Sequence, residues 1–175
     1  MKPMVVAAMA MLISTAALAG PPKRDCGALP DGSLIGEAHA IDGDTLAMMR
    51  ADDTRTPNIR LWGIQAPELR DAISKVETAA GMRARAALEA IAGDAGQSVT
   101  CRPIEWDSYC RVVARCAVDG TPDINLAMLS SGDAYLFTTY ALTSKVPADV
   151  RAKYIAAERQ ARSDRRGLWR TWLVQ

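Results

Sequence analysis

VTCRPIEWDSYCRVVARCAV, Val99 to Val118, decides the fold. Two apolar arms flank a polar centre near Trp106–Tyr109, the pattern of two strands joined by a turn. Cys101 and Cys116 stand equidistant from that centre, so the hairpin predicts that they face each other across an antiparallel ladder. The chain has four cysteines, Cys26, Cys101, Cys110 and Cys116, and four allow three pairings. With Cys101 and Cys116 placed opposite each other, Cys26 is left for Cys110, which ties the N-terminal arm to the turn. A zinc site is disfavoured, because the chain has no CxxC and only one histidine.

Upstream of the hairpin, SLIGEAHAI (33–41) and TLAMMRA (45–51) flank Asp42-Gly43-Asp44, a tight-turn sequence. ADDTRTP (51–57) is a polar connection, and NIRLWGI (58–64) reads as a third strand. Val76, Ala80, Ala84, Ala87, Leu88 and Ile91 recur at helical spacing and stop at Gly93. A short helix is expected from the cap residue Asp123 to Gly132. A last helix starts near Pro147, carries the stripe Val150, Tyr154, Ala157 and Ala161, and stops at Gly167. One helix lies between strands three and four. The expectation is an α+β chain: a five-stranded Greek-key β-barrel (OB-fold) with three helices.

The chain has 175 residues, enough for one domain with a core. Its first twenty residues differ from the rest. MKPMVVAAMAMLISTAALAG has one lysine, no acid and an apolar run, and Ala17-Leu18-Ala19 precedes Gly20. This pattern predicts a signal peptide over 1–19, cleaved after Ala19, and a periplasmic or secreted protein. Residues 20–32 read as an irregular lead-in, and 33–175 as the folded domain. Export explains an even number of cysteines, since disulfides persist in oxidising compartments. After residue 20 no apolar stretch is long enough to span a bilayer, so no membrane partner is expected for the mature form, and a monomer is expected. Cleavage removes Lys2 and leaves 20 basic against 20 acidic residues. A net charge of zero argues against a protein that coats nucleic acid non-specifically.

Three segments carry chemistry: IDGDT (41–45), RLWGIQAPE (60–68) and DSYCR (107–111). Hydrolysing a phosphodiester requires a cation near the phosphate oxygens, an acceptor for a proton from water, and rigid donors for the transition-state charge. Arginine serves as such a donor, because its planar fork binds two phosphate oxygens at once. Arg60 and Arg111 fit that task, Glu68 fits the acceptor, and Asp44 fits a hard cation that prefers oxygen ligands. Singly, each residue also has a structural explanation as a turn, a cap or an edge charge. Their order in one small β-rich domain carries the functional reading.

With RRGLW (165–169), these segments resemble the staphylococcal nuclease (thermonuclease) family over roughly residues 33 to 170. The resemblance implies an OB-fold and Ca²⁺-dependent hydrolysis of DNA or RNA. It places Arg60, Glu68 and Arg111 on the catalytic positions and Asp44 on a metal-ligand position. Ala66 falls where the family uses a backbone carbonyl toward the metal. Tyr109 falls beside the terminal phosphate of a bound nucleotide, and Tyr140 loosely matches an aromatic that stacks on the base. Two departures stand out. Gln65 replaces a second metal-ligating aspartate, which removes a charge and predicts weak Ca²⁺ binding. Cys110 replaces the usual glycine before Arg111. The alternative reading is a catalytically impaired OB-fold of this family that binds nucleic acid without efficient cleavage.

Other residues are assigned to structure. His39 reads as a strand residue, the arginines of the last helix as a solvated face, and Trp62 and Trp169 as core.

Overall fold

The structure is a computed structural model and describes residues 24–93, 97–141 and 145–172. The expected signal peptide lies outside the described residues. Strand β1 (Leu34–Ala40) alternates buried and exposed residues along its whole length, as a strand with one face on a core must. It pairs antiparallel with β2 (Thr45–Met49) across the Asp42–Asp44 turn. β3 (Ile59–Leu61) pairs with β2, and after a turn β4 (Ile64–Gln65) leaves the barrel. β5 (Val99–Trp106) and β6 (Val112–Ala117) form the cysteine hairpin. The strand order β1-β2-β3-β6-β5 closes, because β5 returns to β1 and β3 runs parallel to β6. Closure leaves no open edge in this sheet. β4 forms a separate two-stranded sheet with β7 (Tyr135–Leu136).

The hairpin register pairs Cys101 with Cys116, and a disulfide joins them inside the core. A second disulfide joins Cys26 to Cys110. A bulge between Pro103 and Glu105 shifts the register toward the turn.

The expected third strand, 58–64, is not continuous. Trp62 is buried and Gly63 has φ +77, so the chain turns there before β4. Glycine tolerates that left-handed backbone at no steric cost. Buried Asn125 secures this corner. Its Nδ2 donates to the carbonyls of Trp62 (2.9 Å) and Ala114 (3.1 Å), and its Oδ1 accepts from the Cys116 amide (3.0 Å). Those bonds give the departing backbone groups the partners that burial demands.

The three expected helices are α1 (Ala79–Ala92), α2 (Ile124–Ser131) and α4 (Ala148–Ser163). Two single turns, α3 (Thr138–Ala141) and α5 (Trp169–Trp172), add to them. Val76 does not belong to the α1 stripe. It is 65% exposed and precedes the helix, because Thr78 is the N-cap and its hydroxyl accepts from the Gly81 amide. Asp123 caps α2 through the Leu126 amide and also accepts from the Tyr154 hydroxyl (2.8 Å), which ties α4 to α2. α4 ends at Ser163, four residues short of Gly167, and Arg165 and Gly167 both take positive φ in the turn that follows. Trp62 and Trp169 are buried, and His39 points outward from β1.

Candidate active site

The turn IDGDT sits close against two neighbours. A Cβ on Gly43 would lie 2.5 Å from the Cβ atoms of both Ala66 and Ala84. Only glycine lets the β1–β2 turn approach the segment after β4 and helix α1 at once. That approach brings Asp44 to the Ala66 amide, which donates to Asp44 Oδ2 at 2.9 Å. Asp44 Oδ1 accepts from the Thr45 hydroxyl at 3.0 Å.

Arg60 lies opposite Thr45 in the β2–β3 ladder, so its side chain enters the same region. It is only 3% exposed. Its Nη2 stands 3.1 Å from Asp44 Oδ2 and donates to Gln65 Oε1 at 2.7 Å, while Nη1 donates to the Leu61 carbonyl at 2.7 Å. Its guanidinium carbon lies 5.8 Å from the centre of the Phe137 ring. Arg60 is thus internally satisfied on both terminal nitrogens.

Arg111 opens β6 across the barrel mouth. Asp107 fixes it three ways: Oδ2 accepts from Nε at 2.6 Å, Oδ1 accepts from the Arg111 amide at 2.9 Å, and the Asp107 amide donates to the Arg111 carbonyl at 3.1 Å. Arg111 Nη1 donates to the Thr45 hydroxyl at 3.3 Å, and the guanidinium lies 5.5 Å from the Tyr109 ring centre. Arg111 is half-buried, and Tyr109 is 70% exposed.

Gln65 is held by its pairing with Tyr135. Its amide group spans the site, with the oxygen on Arg60 and the nitrogen 3.3 Å from the Ala66 carbonyl and 3.5 Å from Glu68 Oε1. The opposite orientation would set its NH₂ against the Arg60 donors. Glu68 is exposed, and its carbonyl accepts from the Thr78 hydroxyl at 2.7 Å, which anchors it to the start of α1.

One cleft of about 470 Å³ is lined by Asp44, Arg60, Gln65, Ala66, Glu68, Tyr109 and Arg111. The tertiary structure therefore brings together seven of the eight expected site residues. The eighth, Tyr140, lies in α3, and its side chain is outside the described residues. Sequence reasoning missed Thr45, which links Asp44 to Arg111, and Asp107, which orients Arg111. Both stand inside the quoted motifs, so the signal was present. Trp106, a tryptophan that could stack on a base, also lines the cleft, as does Phe137, which no local pattern marks.

A family model described as Staphylococcal nuclease homologue matches residues 58–171. The chain belongs to this family. The match includes Arg60, Gln65, Glu68, Tyr109 and Arg111. A curated relative, "Uncharacterized endonuclease" of Escherichia coli, is 26% identical over 129 residues, covering 74% of this chain and 72% of that protein. Membership of the Staphylococcal nuclease homologue family and this relative both support a nuclease-like function.

Five carboxylates line the cleft (Asp42, Asp44, Glu68, Glu105 and Asp107) against two guanidiniums, a formal charge of −3. Lys145 pairs with Glu105 and offsets one of these charges. Burial pushes the Asp44 carboxyl up from 3.8 to about 6, although Arg60 pulls it down. One arginine therefore does not fully compensate this buried carboxylate. Hard oxygen donors with surplus negative charge fit a hard divalent cation. The fit is to a weakly held one. Gln65 adds no charge and its oxygen faces Arg60, and no group of three or more His, Cys, Asp or Glu is poised as a metal cage among the described residues.

Proposed function

We propose that the protein is an exported nuclease that hydrolyses phosphodiester bonds of DNA or RNA with Ca²⁺ assistance. The observation that carries the reading is the convergence of Asp44, Arg60, Glu68 and Arg111 on one cleft from three distant segments. Export is supported by the N-terminal pattern of residues 1–19 and by the two disulfides. No described helix is long and apolar enough to cross a membrane.

In this reading Asp44 and the Ala66 carbonyl would hold the cation, with Gln65 beside them. A bound divalent cation would neutralise phosphate charge that the acidic cleft otherwise repels. Arg111, oriented by Asp107, offers its fork to the non-bridging phosphate oxygens. Arg60 supplies positive potential at the cleft floor and holds Asp44 and Gln65 in place. Glu68, exposed and anchored through its backbone, accepts a proton as water attacks phosphorus. The P–O bond to the leaving sugar breaks, and the leaving oxygen takes a proton from solvent. Tyr109 at the rim, with Tyr140, contacts the nucleotide. The protein acts as a monomer on a nucleic-acid substrate.

The engagement of Gln65 Oε1 by Arg60 favours a second reading. There the fold binds nucleic acid but captures the cation too poorly to cleave efficiently. Cleavage of single- and double-stranded oligonucleotides, assayed with Ca²⁺ and with EDTA, separates the two. Ca²⁺-dependent cleavage supports the nuclease. Salt-sensitive binding without cleavage in millimolar Ca²⁺ supports the binding module.

A further inference from the structure

The cleft has a covalent attachment that the chemistry above does not use. Cys110 stands between Tyr109 and Arg111, and its disulfide to Cys26 joins this turn to the N-terminal arm across 84 residues of sequence. The described arm, 24–33, contains no helix or strand. It is held by the disulfide, by the bond from Trp106 Nε1 to the Gly27 carbonyl (3.1 Å), and by Leu29 packed on the core.

Cys110 has φ +59. A residue with a Cβ populates that left-handed region at a cost, so the turn needs something to hold it there. Asp107 supplies part of the restraint, since its carboxylate accepts from the Tyr109 and Arg111 amides. The Cys110 amide also donates to the Asp107 carbonyl (3.2 Å), and the covalent bond adds a tether at the residue that carries the strain. If Cys110 relaxes to negative φ, the backbone directions on both sides of it change. Arg111 then loses its alignment on Asp107 and Thr45.

The two disulfides differ in reach. Cys101 and Cys116 are 0% and 2% exposed inside the barrel. Cys26 and Cys110 are both partly exposed at its mouth. Thiol–disulfide exchange needs access of a thiolate to sulfur, so a reductant meets the outer bond first.

We propose that the Cys26–Cys110 disulfide is a redox-sensitive clamp that positions Arg111 and Tyr109 for phosphate contact. Opening it loosens the turn and lowers activity without unfolding the barrel. The activity part rests on the nuclease reading above. In the opening step, one thiolate of a dithiol reductant attacks a sulfur of this bond and forms a mixed disulfide. The second thiol of the reductant resolves it. Two electrons and two protons pass to Cys26 and Cys110, which become thiols, and the reductant leaves as its own disulfide.

Two double variants and one mild reduction test the clamp. Cys26→Ser/Cys110→Ser removes the bond but keeps a Cβ at φ +59. Cys26→Ser/Cys110→Gly removes the bond and the conformational cost together. Amide hydrogen exchange at Tyr109, Cys110 (or its replacement) and Arg111 reports the turn without any assay of cleavage. Phosphodiester cleavage then gives kcat and KM. The Ser/Ser variant is expected to exchange faster at the turn and to lose about tenfold in kcat/KM, with the barrel amides still protected. The Ser/Gly variant is expected to recover most of that loss. Dithiothreitol, at a level where mass mapping finds Cys101–Cys116 intact, is expected to reproduce the Ser/Ser behaviour in the wild type. Unchanged turn exchange in Ser/Ser, or Ser/Gly no better than Ser/Ser, overturns the clamp. A wild type that cleaves nothing with any divalent cation overturns the nuclease reading instead, and the exchange data still decide the clamp.

Discussion

Arg60 Nη2 donates a 2.7 Å hydrogen bond to the side-chain oxygen of Gln65. The bond links the best-buried cation of the cleft to the neutral residue that stands where the family resemblance implies a metal-ligating aspartate. It fixes the amide orientation and turns the Gln65 oxygen away from a free ligand role.

Replacing that amide by a carboxylate should strengthen cation capture. Gln65→Asp adds one negative charge beside Asp44 while Arg60 remains able to pair with it. Calcium affinity, read by isothermal titration calorimetry, is expected to rise by about tenfold or more, because affinity follows ligand charge. Cleavage at limiting Ca²⁺ should rise with it. No gain in a folded variant would favour the binding-module reading.

The two arginines should respond differently to truncation. Arg60 and Asp44 form a buried ion pair at 3.1 Å, with side chains 3% and 7% exposed. Arg60→Ala strands the carboxylate, so urea denaturation should show a loss of about 3–5 kcal/mol beside any loss of activity. Arg111 is more exposed, and Arg111→Lys keeps the charge but loses the fork. It should lower kcat/KM by about 10²-fold with little change in stability.

Asp44 should make stability fall as pH rises through a defined window. Its carboxyl is raised from 3.8 to about 6, chiefly by burial. The folded state therefore holds this proton more tightly than the unfolded chain. The stabilising contribution is complete below pH 3.8 and is lost as pH passes 6. Relative to Asp44→Asn, cation-free wild type should lose about 3 kcal/mol across that window, measured by denaturant titration at several pH values. Calcium binds the ionised form, so its affinity should weaken below pH 6.

Gly43 should not accept a side chain. The added Cβ would stand 2.5 Å from two other Cβ atoms, and neither alanine is a flexible chain that can swing aside. Gly43→Ala is expected to cost about 1–3 kcal/mol and to weaken the Asp44–Ala66 bond. Thermal unfolding and the chemical shift of the Ala66 amide check both effects.

The buried staple should matter for the fold. Cys101 and Cys116 close a loop of 15 residues within the core. Cys101→Ala/Cys116→Ala is expected to cost about 3 kcal/mol, most directly seen as a lower urea midpoint.

Much of this was legible one segment at a time. Period-two alternation marked β1, and the symmetric cysteines marked the hairpin register, because both depend on near neighbours along a strand. Asp123 and Gly132 marked α2, since capping is local chemistry. The break at Trp62–Gly63 was not legible. Its cause is Asn125, sixty-three residues away, which supplies hydrogen bonds to a backbone that has left the ladder. The early start expected for α1 failed for a local reason, the Thr78 cap, which outweighs an apolar residue on the same period.

The sequence by itself determined the barrel, the cysteine partners and the charged residues Asp44, Arg60, Glu68 and Arg111 of the cleft. Periodicity, caps and motif spacing act over a few residues and need no distant partner to be read. Only the tertiary structure decided that Arg60 is buried against Asp44 and Gln65, that Thr45 links Asp44 to Arg111, and that disulfide-bonded Cys110 takes a left-handed conformation beside Arg111. Those relationships depend on barrel closure, which sets side chains from β2, β3 and β6 against one another at distances that one-dimensional spacing does not encode.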